Sequence, residues 1–377
     1  MNHDSEFEFP PIGTPFDQEM MQRCLQLAKQ AVGRTAPNPL VGAVIVKEGQ
    51  IIGEGFHPGV GQPHAEVFAL RNAGEEARGA TIYVNLEPCA HYGRTPPCSK
   101  AIIEAGMKKV FVGMIDPDTR VCGQGIQQLE DAGIEVIVGV AEADCRKLNE
   151  AFIHRIRFSK PFGILKYAMT LDGKIATTTG HSSWISSTAS RQRVHQLRSI
   201  CDAVIIGGNT VRRDNPHLTT HQVSKHNPLR VVMSRTLDLP LEANLWETQE
   251  VPTLVFTETK TNPTLQKQLL KRGVEVIELP VLTPAVVMER LYERGLSSVL
   301  WECGGTLAAK AIADGAVQKI LAFIAPKIIG GQFAPSPVGD LGLEQMTEAL
   351  ELENISFHSI NSDLLIEGYL SKKAWLL

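Results

Sequence analysis

Four residues have the types that hydrolytic metal chemistry needs: His64, Glu66, Cys89 and Cys98. They stand in Pro63-His64-Ala65-Glu66 and Glu87-Pro88-Cys89, with Cys98 following after eight intervening residues. One imidazole and two thiolates are ordinary zinc ligands, and a catalytic zinc keeps three protein ligands and an open position for water. The metal lowers the pKa of that water toward neutrality. A carboxylate outside the ligand set must then carry protons between the water and the leaving group, and Glu66 is the candidate. A structural zinc would need a fourth protein ligand; His91 and Cys122 are of the right type. The ordered set of four fits one mechanism, so we read the site as catalytic, with one zinc per chain.

The elements around these residues must bring them together. Residues i and i+2 diverge on a helix, but first-turn side chains tilt back toward the N-terminus. A helix starting near His64 lets His64 and Glu66 both reach a metal beyond its end. Cys98 falls at another predicted helix start, where the dipole favours thiolate. The patterning predicts a helix over 17–32, a hairpin over 41–46 and 51–56 turned through Lys47-Glu48-Gly49-Gln50, and a helix from near His64 to Gly74. A strand over 81–86, a helix from near Pro97 to Gly106, a strand over 109–114, a helix over 125–132 and a strand over 135–140 follow. Strands alternating with helices mean an α/β sheet. His-x-Glu followed by Pro-Cys-x-x-Cys is the general signature of zinc nucleobase deaminases. Here the second part departs, with eight residues between the cysteines instead of two.

The basic stretch 145–160 reads as helix plus linker, and Pro161 starts a second unit. Its predicted strands are 162–169, 203–206, 229–233, 253–256, 274–278, 298–301, 320–325, 355–360 and 364–370. The Asn361-Ser362-Asp363 turn predicts an antiparallel finish on a mostly parallel sheet. Three turns carry glycine: Leu171-Asp172-Gly173-Lys174, Gly207-Gly208-Asn209-Thr210 opening a helix with Arg212 and Arg213, and Cys303-Gly304-Gly305-Thr306 before a helix over 307–313. Such turns offer backbone amides to phosphate. They serve equally as plain tight turns, and no Gly-x-Gly-x-x-Gly occurs at them, so a Rossmann reading is unsupported.

The chain has 377 residues, enough for two domains, and 43% hydrophobic content with a formal net charge of −4 excludes a disordered class. That balance gives no global field toward nucleic acid or an anionic membrane. No apolar run reaches membrane-spanning length. Residues 1–16, with Pro10, Pro11 and Pro15, read as a flexible arm without the pattern of a secretory signal. Seven scattered cysteines suit free thiols and metal ligands, and a cytoplasmic location is expected.

The segments Pro37-Asn38-Pro39-Leu40-Val41-Gly42, His64-Ala65-Glu66 and Leu86-Glu87-Pro88-Cys89-Ala90-His91-Tyr92-Gly93-Arg94-Thr95-Pro96-Pro97-Cys98 resemble the bifunctional deaminase–reductase family of riboflavin biosynthesis. The long gap ending in Gly-Arg-Thr-Pro-Pro-Cys distinguishes that branch of the deaminases. The resemblance runs from about Met20 to the end of the sequence. It implies an α/β chain with a cytidine-deaminase-like three-layer domain over 17–158 and a dihydrofolate-reductase-like domain over 159–377. It implies zinc on His64, Cys89 and Cys98, Glu66 as proton shuttle, and Asn38 as a contact to the substrate, although Asn between prolines is also common turn chemistry. The implied substrate is 2,5-diamino-6-ribosylamino-pyrimidinone 5′-phosphate, which loses its 2-amino group as ammonia. NADPH then reduces the ribosyl group to ribityl.

For the second half the resemblance implies cofactor-side residues Ala168, Trp184, Thr210, Asp214 and Ser234, with Gly304, Gly305, Thr306, Leu307, Ala308, Ala309 and Lys310. Ser182, Arg198, Leu218, His221 and Glu302 match the substrate side. Lys166, with Asp214 and Glu302, is the candidate to polarise or protonate the substrate. A solvated strand end for Lys166, a helix end for Asp214 and packing for Trp184 are the plain alternatives. Two positions depart from the family: His221 stands where arginine is usual, and Ser234-Arg235 where Asp-Ser is usual. The other functional reading is a deaminase of a different nucleobase with a non-catalytic second domain. The expected partners are a small phosphorylated pyrimidine and further copies of the chain, as dimer or tetramer, without nucleic acid or membrane.

Overall fold

The computed structural model describes residues 12–92 and 96–371. Most of the predicted arm and the Gly93-Arg94-Thr95 part of the motif lie outside the described residues. The chain divides into two compact units, Met1–Phe158 and Ser159–Leu377.

The first unit runs α1 (Pro15–Lys29), β1 (Gly42–Lys47), β2 (Gln50–Phe56), α2 (Ala65–Ala73), β3 (Thr81–Val84), α3 (Cys98–Glu104), β4 (Lys109–Val112), α4 (Gln124–Asp131), β5 (Glu135–Val138), α5 (Glu142–Leu148) and α6 (Glu150–Phe158). The sheet order is β2-β1-β3-β4-β5, with β2, β1 and β3 antiparallel and β3, β4 and β5 parallel. Helix α1 starts two residues earlier than predicted. Thr14 Oγ1 accepts from the Asp17 amide at 3.2 Å, the Thr14 amide donates back to Asp17 Oδ2 at 2.7 Å, and Pro15 opens the helix. The β1–β2 hairpin closes through Glu48 and Gly49, both at positive φ, as a two-residue turn needs. Predicted strands 81–86, 109–114 and 135–140 each overrun by two residues. Leu86 and Met114 are buried beyond the last ladder pair, so the apolar pattern outlasts the strand.

Successive residues of β2 face opposite sides of the sheet. Glu54 pairs with Arg23 of α1 at 2.6 Å, whereas Gly53 and Gly55 meet α2. The two helices therefore cover opposite faces, giving three layers. A Cβ at Gly53 would lie 2.3 Å from the Ala69 carbonyl oxygen, and one at Gly55 2.3 Å from that of Ala65. Two glycines thus let the α2 backbone rest directly on β2, and this sets where the helix begins.

The second unit contains β6 (Phe162–Thr170), α7 (Thr188–Ile200), β7 (Ala203–Gly207), α8 (Gly208–Asp214), β8 (Leu229–Met233), β9 (Thr253–Glu258), α9 (Pro263–Lys271), β10 (Glu275–Leu279), α10 (Pro284–Glu293), β11 (Ser298–Trp301), α11 (Gly305–Ala313), β12 (Lys319–Ala325), β13 (Leu352–Ile360) and β14 (Asp363–Leu370). They form one nine-stranded sheet, β10-β9-β8-β7-β11-β6-β12-β14-β13. It is parallel from β10 to β12, and β14 and β13 add the antiparallel finish through a turn at Asn361-Ser362. Trp301 and Phe256 are fully buried in its core. Helices α7, α9 and α10 are absent from the sequence reading. Only Ser190, Val194 and Leu197 of α7 are buried, too narrow a stripe for periodicity to show. Asn262-Pro263 and Thr283-Pro284 are N-cap signals that would have found the other two. Asp363 of β14 accepts from the Ser187 amide at 2.7 Å and from Ser190 Oγ at 2.6 Å, which ties the start of α7 to the last strand.

Gly55→Ala should destabilise the first unit by about 2 kcal/mol through overpacking against α2 and weaken metal retention. Urea unfolding and metal content after dialysis check both; an unchanged midpoint would mean that α2 does not need this close approach.

Candidate active sites

His64 is the N-cap of α2, Glu66 lies in its first turn, Cys98 opens α3, and Cys89 sits in the loop after β3. His64 Nδ1 is 3.3 Å from Cys98 Sγ and 3.5 Å from Cys89 Sγ, and the three donor atoms all lie within 4.8 Å of one another. Ligands on a tetrahedral zinc stand about 3.5 Å apart, so the set is already gathered. His91 and Cys122 are exposed, and neither belongs to the group. Among the described residues, the cluster offers three candidate ligand groups.

Glu66 is 3% exposed, and its Oε2 has no hydrogen-bond partner among the described residues. Burial, and next the nearby Cys89 thiolate, raise its pKa. Without metal, the two cysteines differ. The hydrogen bond from Cys98 lowers the pKa of Cys89, whereas Cys98, donating that bond and buried, is raised.

The loop is fixed by Glu87. Its carboxylate accepts from the amides of Asp116 at 3.1 Å, Gly123 at 3.0 Å and Gly125 at 2.9 Å. Asn38 reaches the centre through a residue the sequence reading passed over, His57. Asn38 Nδ2 is 3.0 Å from His57 Nε2, and His57 Nδ1 is 3.0 Å from the Pro63 carbonyl oxygen. The His57 and His64 rings meet edge to face at 5.6 Å. Burial lowers the His57 pKa. A lone histidine gives no sequence signal; its place between Asn38 and His64 exists only in three dimensions.

In the second unit, β6 and β11 are parallel neighbours with Leu165 opposite Trp301, so the next residues, Lys166 and Glu302, emerge side by side. Lys166 Nζ is 3.6 Å from Glu302 Oε2. Arg198 of α7 grips Glu302 with Nε at 2.6 Å and Nη2 at 3.0 Å, and donates through Nη1 to the Thr219 carbonyl oxygen at 2.9 Å. Burial works against the Glu302 charge, but Arg198 and then Lys166 overcome it and hold the carboxyl at about 2. Burial, and among charges Arg198, lowers the Lys166 pKa against the pull of Glu302. His221 packs against His195 with tilted rings, centroids 4.2 Å apart, and burial followed by Arg198 pushes His195 down to about 4. The sequence reading missed His195, which follows Arg191 and precedes Arg198 on α7 at helical spacing.

The remaining residues separate into a rim and a core. Gly207 and Gly208, Ser234, and Gly304 and Gly305 lie where β7, β8 and β11 end, along one edge of the sheet. A Cβ at Gly208 would stand 3.1 Å from Ser234 Oγ. At Gly304, the N-cap of α11, a Cβ would meet nothing within 4 Å. Thr210 lies in α8, and Ala168 lies on β6 two residues past Lys166, on the same face. Asp214 ends α8 and accepts from Ser182 Oγ at 3.1 Å; no ion pair joins it to Lys166 among the described residues. Trp184 is 70% exposed, with the Arg191 guanidinium 4.4 Å from its ring centroid. Thr306 and Lys310 are exposed and Leu307 is half-buried. Ala308 and Ala309 are buried in the unit, leaving their backbone for the rim, and Leu218 is buried beside Thr219.

Residues 14–114 match the family model for the cytidine and deoxycytidylate deaminase zinc-binding region, and residues 161–366 match the RibD C-terminal domain. The chain is 61% identical over 354 residues to riboflavin biosynthesis protein RibD of Synechocystis sp., spanning 94% of this chain and 96% of that protein. RibD of Acinetobacter baumannii, form 1, is 39% identical with a TM-score of 0.84, covering 95% of this chain and 99% of that one. The diaminohydroxyphosphoribosylaminopyrimidine deaminase/5-amino-6-(5-phosphoribosylamino)uracil reductase of Thermotoga maritima is 37% identical with a TM-score of 0.83, covering 94% and 99%.

Glu302→Gln would leave two buried cations facing a neutral amide, at a cost of about 3 kcal/mol. The folded pKa of Glu302 is depressed from its ordinary 4.5 to about 2. Its stabilisation is therefore present above pH 4.5 and lost as pH falls through 2. Denaturant unfolding across that window should show a flatter acid limb in the variant; parallel limbs would mean that the carboxylate is not held by the cations.

Proposed function

This chain belongs to the RibD family, and from that premise we propose how its residues divide two consecutive reactions. It is a bifunctional deaminase and reductase of riboflavin biosynthesis. Residues 17–158 carry the deaminase and 159–377 the reductase. The first substrate is 2,5-diamino-6-ribosylamino-pyrimidinone 5′-phosphate, and the final product is the ribitylamino-uracil phosphate.

His64, Cys89 and Cys98 hold one zinc per chain. The donor set and the unpartnered, buried Oε2 of Glu66 beside it fit that ion. Zinc, when bound, supplies Lewis-acid activation of a water molecule. Glu66 takes a proton from water at its raised-pKa carboxyl and hands it to the departing amine. Asn38 holds the pyrimidine.

In the second unit, the rim of Gly207–Thr210, Ser234 and Gly304–Lys310 suits NADPH. The open N-cap at Gly304 is free for close approach, and NADPH, when bound, supplies hydride. Trp184, Ala168 and Asp214 complete the cofactor side. Lys166 offers a proton from Nζ, made easier to release by burial, and Glu302 keeps that ammonium aimed. Ser182, Arg198 and Leu218 line the substrate side. His221 replaces a fixed cation with an imidazole and borders an open cavity of about 650 Å³ whose lining also includes His217, Lys225 and one carboxylate, Glu250. That lining suits the substrate phosphate.

The protein works on small molecules in the cytoplasm, a reading supported by seven free cysteines. No helix among the described residues is long and apolar enough to cross a membrane. Edge strand β13 exposes Ile355 and Phe357, which supports a homo-oligomer, dimer or tetramer. Sedimentation at micromolar protein should give a dimer or larger species, and a monomer would refute it.

The observation that carries the deaminase reading is the buried Glu66, its Oε2 without a partner among the described residues, beside three gathered ligand groups. Glu66→Gln should keep one zinc per chain and cut ammonia release by at least about 100-fold, while NADPH oxidation on pre-deaminated substrate continues. Loss of both activities together would count against separate sites.

A further inference from the structure

We infer that His57 is a positioning residue for the deaminase, locking the Asn38 amide so that only its carbonyl oxygen is offered to substrate. The inference deepens the proposed role of Asn38 and rests on it. A backbone carbonyl only accepts hydrogen bonds. The Pro63 oxygen, 3.0 Å from His57 Nδ1, therefore places the ring proton on Nδ1. On the other side the structure sets the Asn38 amide nitrogen Nδ2, a donor only, 3.0 Å from Nε2, which makes Nε2 the acceptor. Oδ1 is left, with no hydrogen-bond partner among the described residues.

The surrounding backbone leaves this amide little freedom. Asn85 Nδ2 donates to the Leu40 carbonyl oxygen at 2.9 Å, Asn149 Nδ2 to the same oxygen at 3.0 Å, and the Leu40 amide donates to Asn149 Oδ1 at 2.8 Å. The loop that carries Asn38 is thus clamped from two sides, while His57 is 3% exposed and fixed. An amide free to flip would offer a donor or an acceptor. This one offers an acceptor alone, so it selects an edge rich in N–H groups, such as the amino and ring N–H of an aminopyrimidine. The Pro63 carbonyl oxygen on the far side of the ring fixes the ring itself.

The test uses the zinc-loaded full-length enzyme and follows ammonia release from the aminopyrimidine phosphate. His57→Phe keeps a ring against His64 but removes the acceptor. It should raise KM about tenfold, the scale of one lost hydrogen bond, with kcat changed less than about threefold and zinc content unchanged. His57→Gln places an acceptor near the Nε2 position and should restore most of KM. Asn38→Ala should raise KM similarly, and the double variant should be no worse than Asn38→Ala alone, because both act through one amide. Additive losses, equal defects in the Phe and Gln variants, or loss of zinc in His57→Phe would overturn the inference. An unchanged KM in Asn38→Ala would remove the substrate contact itself, and the inference with it, while leaving the Glu66 result untouched.

Discussion

The deaminase centre depends on how closely one helix backbone can approach one strand. Gly53 and Gly55 remove the side chains that would hold α2 away from β2. Side chains on α2 can then meet a loop and a second helix start at a single point. The candidate ligand set needs no long reach: His64 caps α2, Cys98 opens α3, and Cys89 is held by a loop that Glu87 knits to the amides beyond β4. Helix starts suit this purpose because their first-turn side chains lean outward past the helix end.

The two units treat a buried carboxylate in opposite ways. Glu66 has no cation bonded to it, and burial favours its protonated form. Glu302, slightly less enclosed, faces Arg198 and Lys166, which hold it toward the ionised form. The contrast follows from neighbours alone, since both side chains are glutamate. It would suit the proton-exchanging role proposed for Glu66 and the steering role proposed for Glu302.

Much of the first site was legible because its signal is short-range. His64 and Glu66 are two residues apart, Cys89 follows a strand, and Cys98 follows prolines at a helix start. Strands were legible because buried parallel strands are nearly continuous apolar runs, although the same runs hid where pairing stops, as at Leu86 and Met114. Helix α7 was not legible: its face toward the site is Arg191, His195 and Arg198, and polar residues carry no burial signal. His57 and Glu87 were missed for a related reason. Each works through backbone groups or through a partner far along the chain, and sequence spacing does not encode that.

The Asp363 cap on α7 has a consequence for synthesis. Every residue of the candidate metal site lies within the first hundred residues, and the strand paired beyond β4 follows soon after. That unit can close while the ribosome is still translating the rest. The second site cannot. Arg198 belongs to a helix whose start is held by the strand beginning at Asp363, and that strand also pairs with β12. The arginine clamp on Glu302 is therefore assembled last, after nearly the whole polypeptide has emerged. A nascent chain arrested between the two units would already hold His64, Cys89 and Cys98 together before Arg198 could meet Glu302.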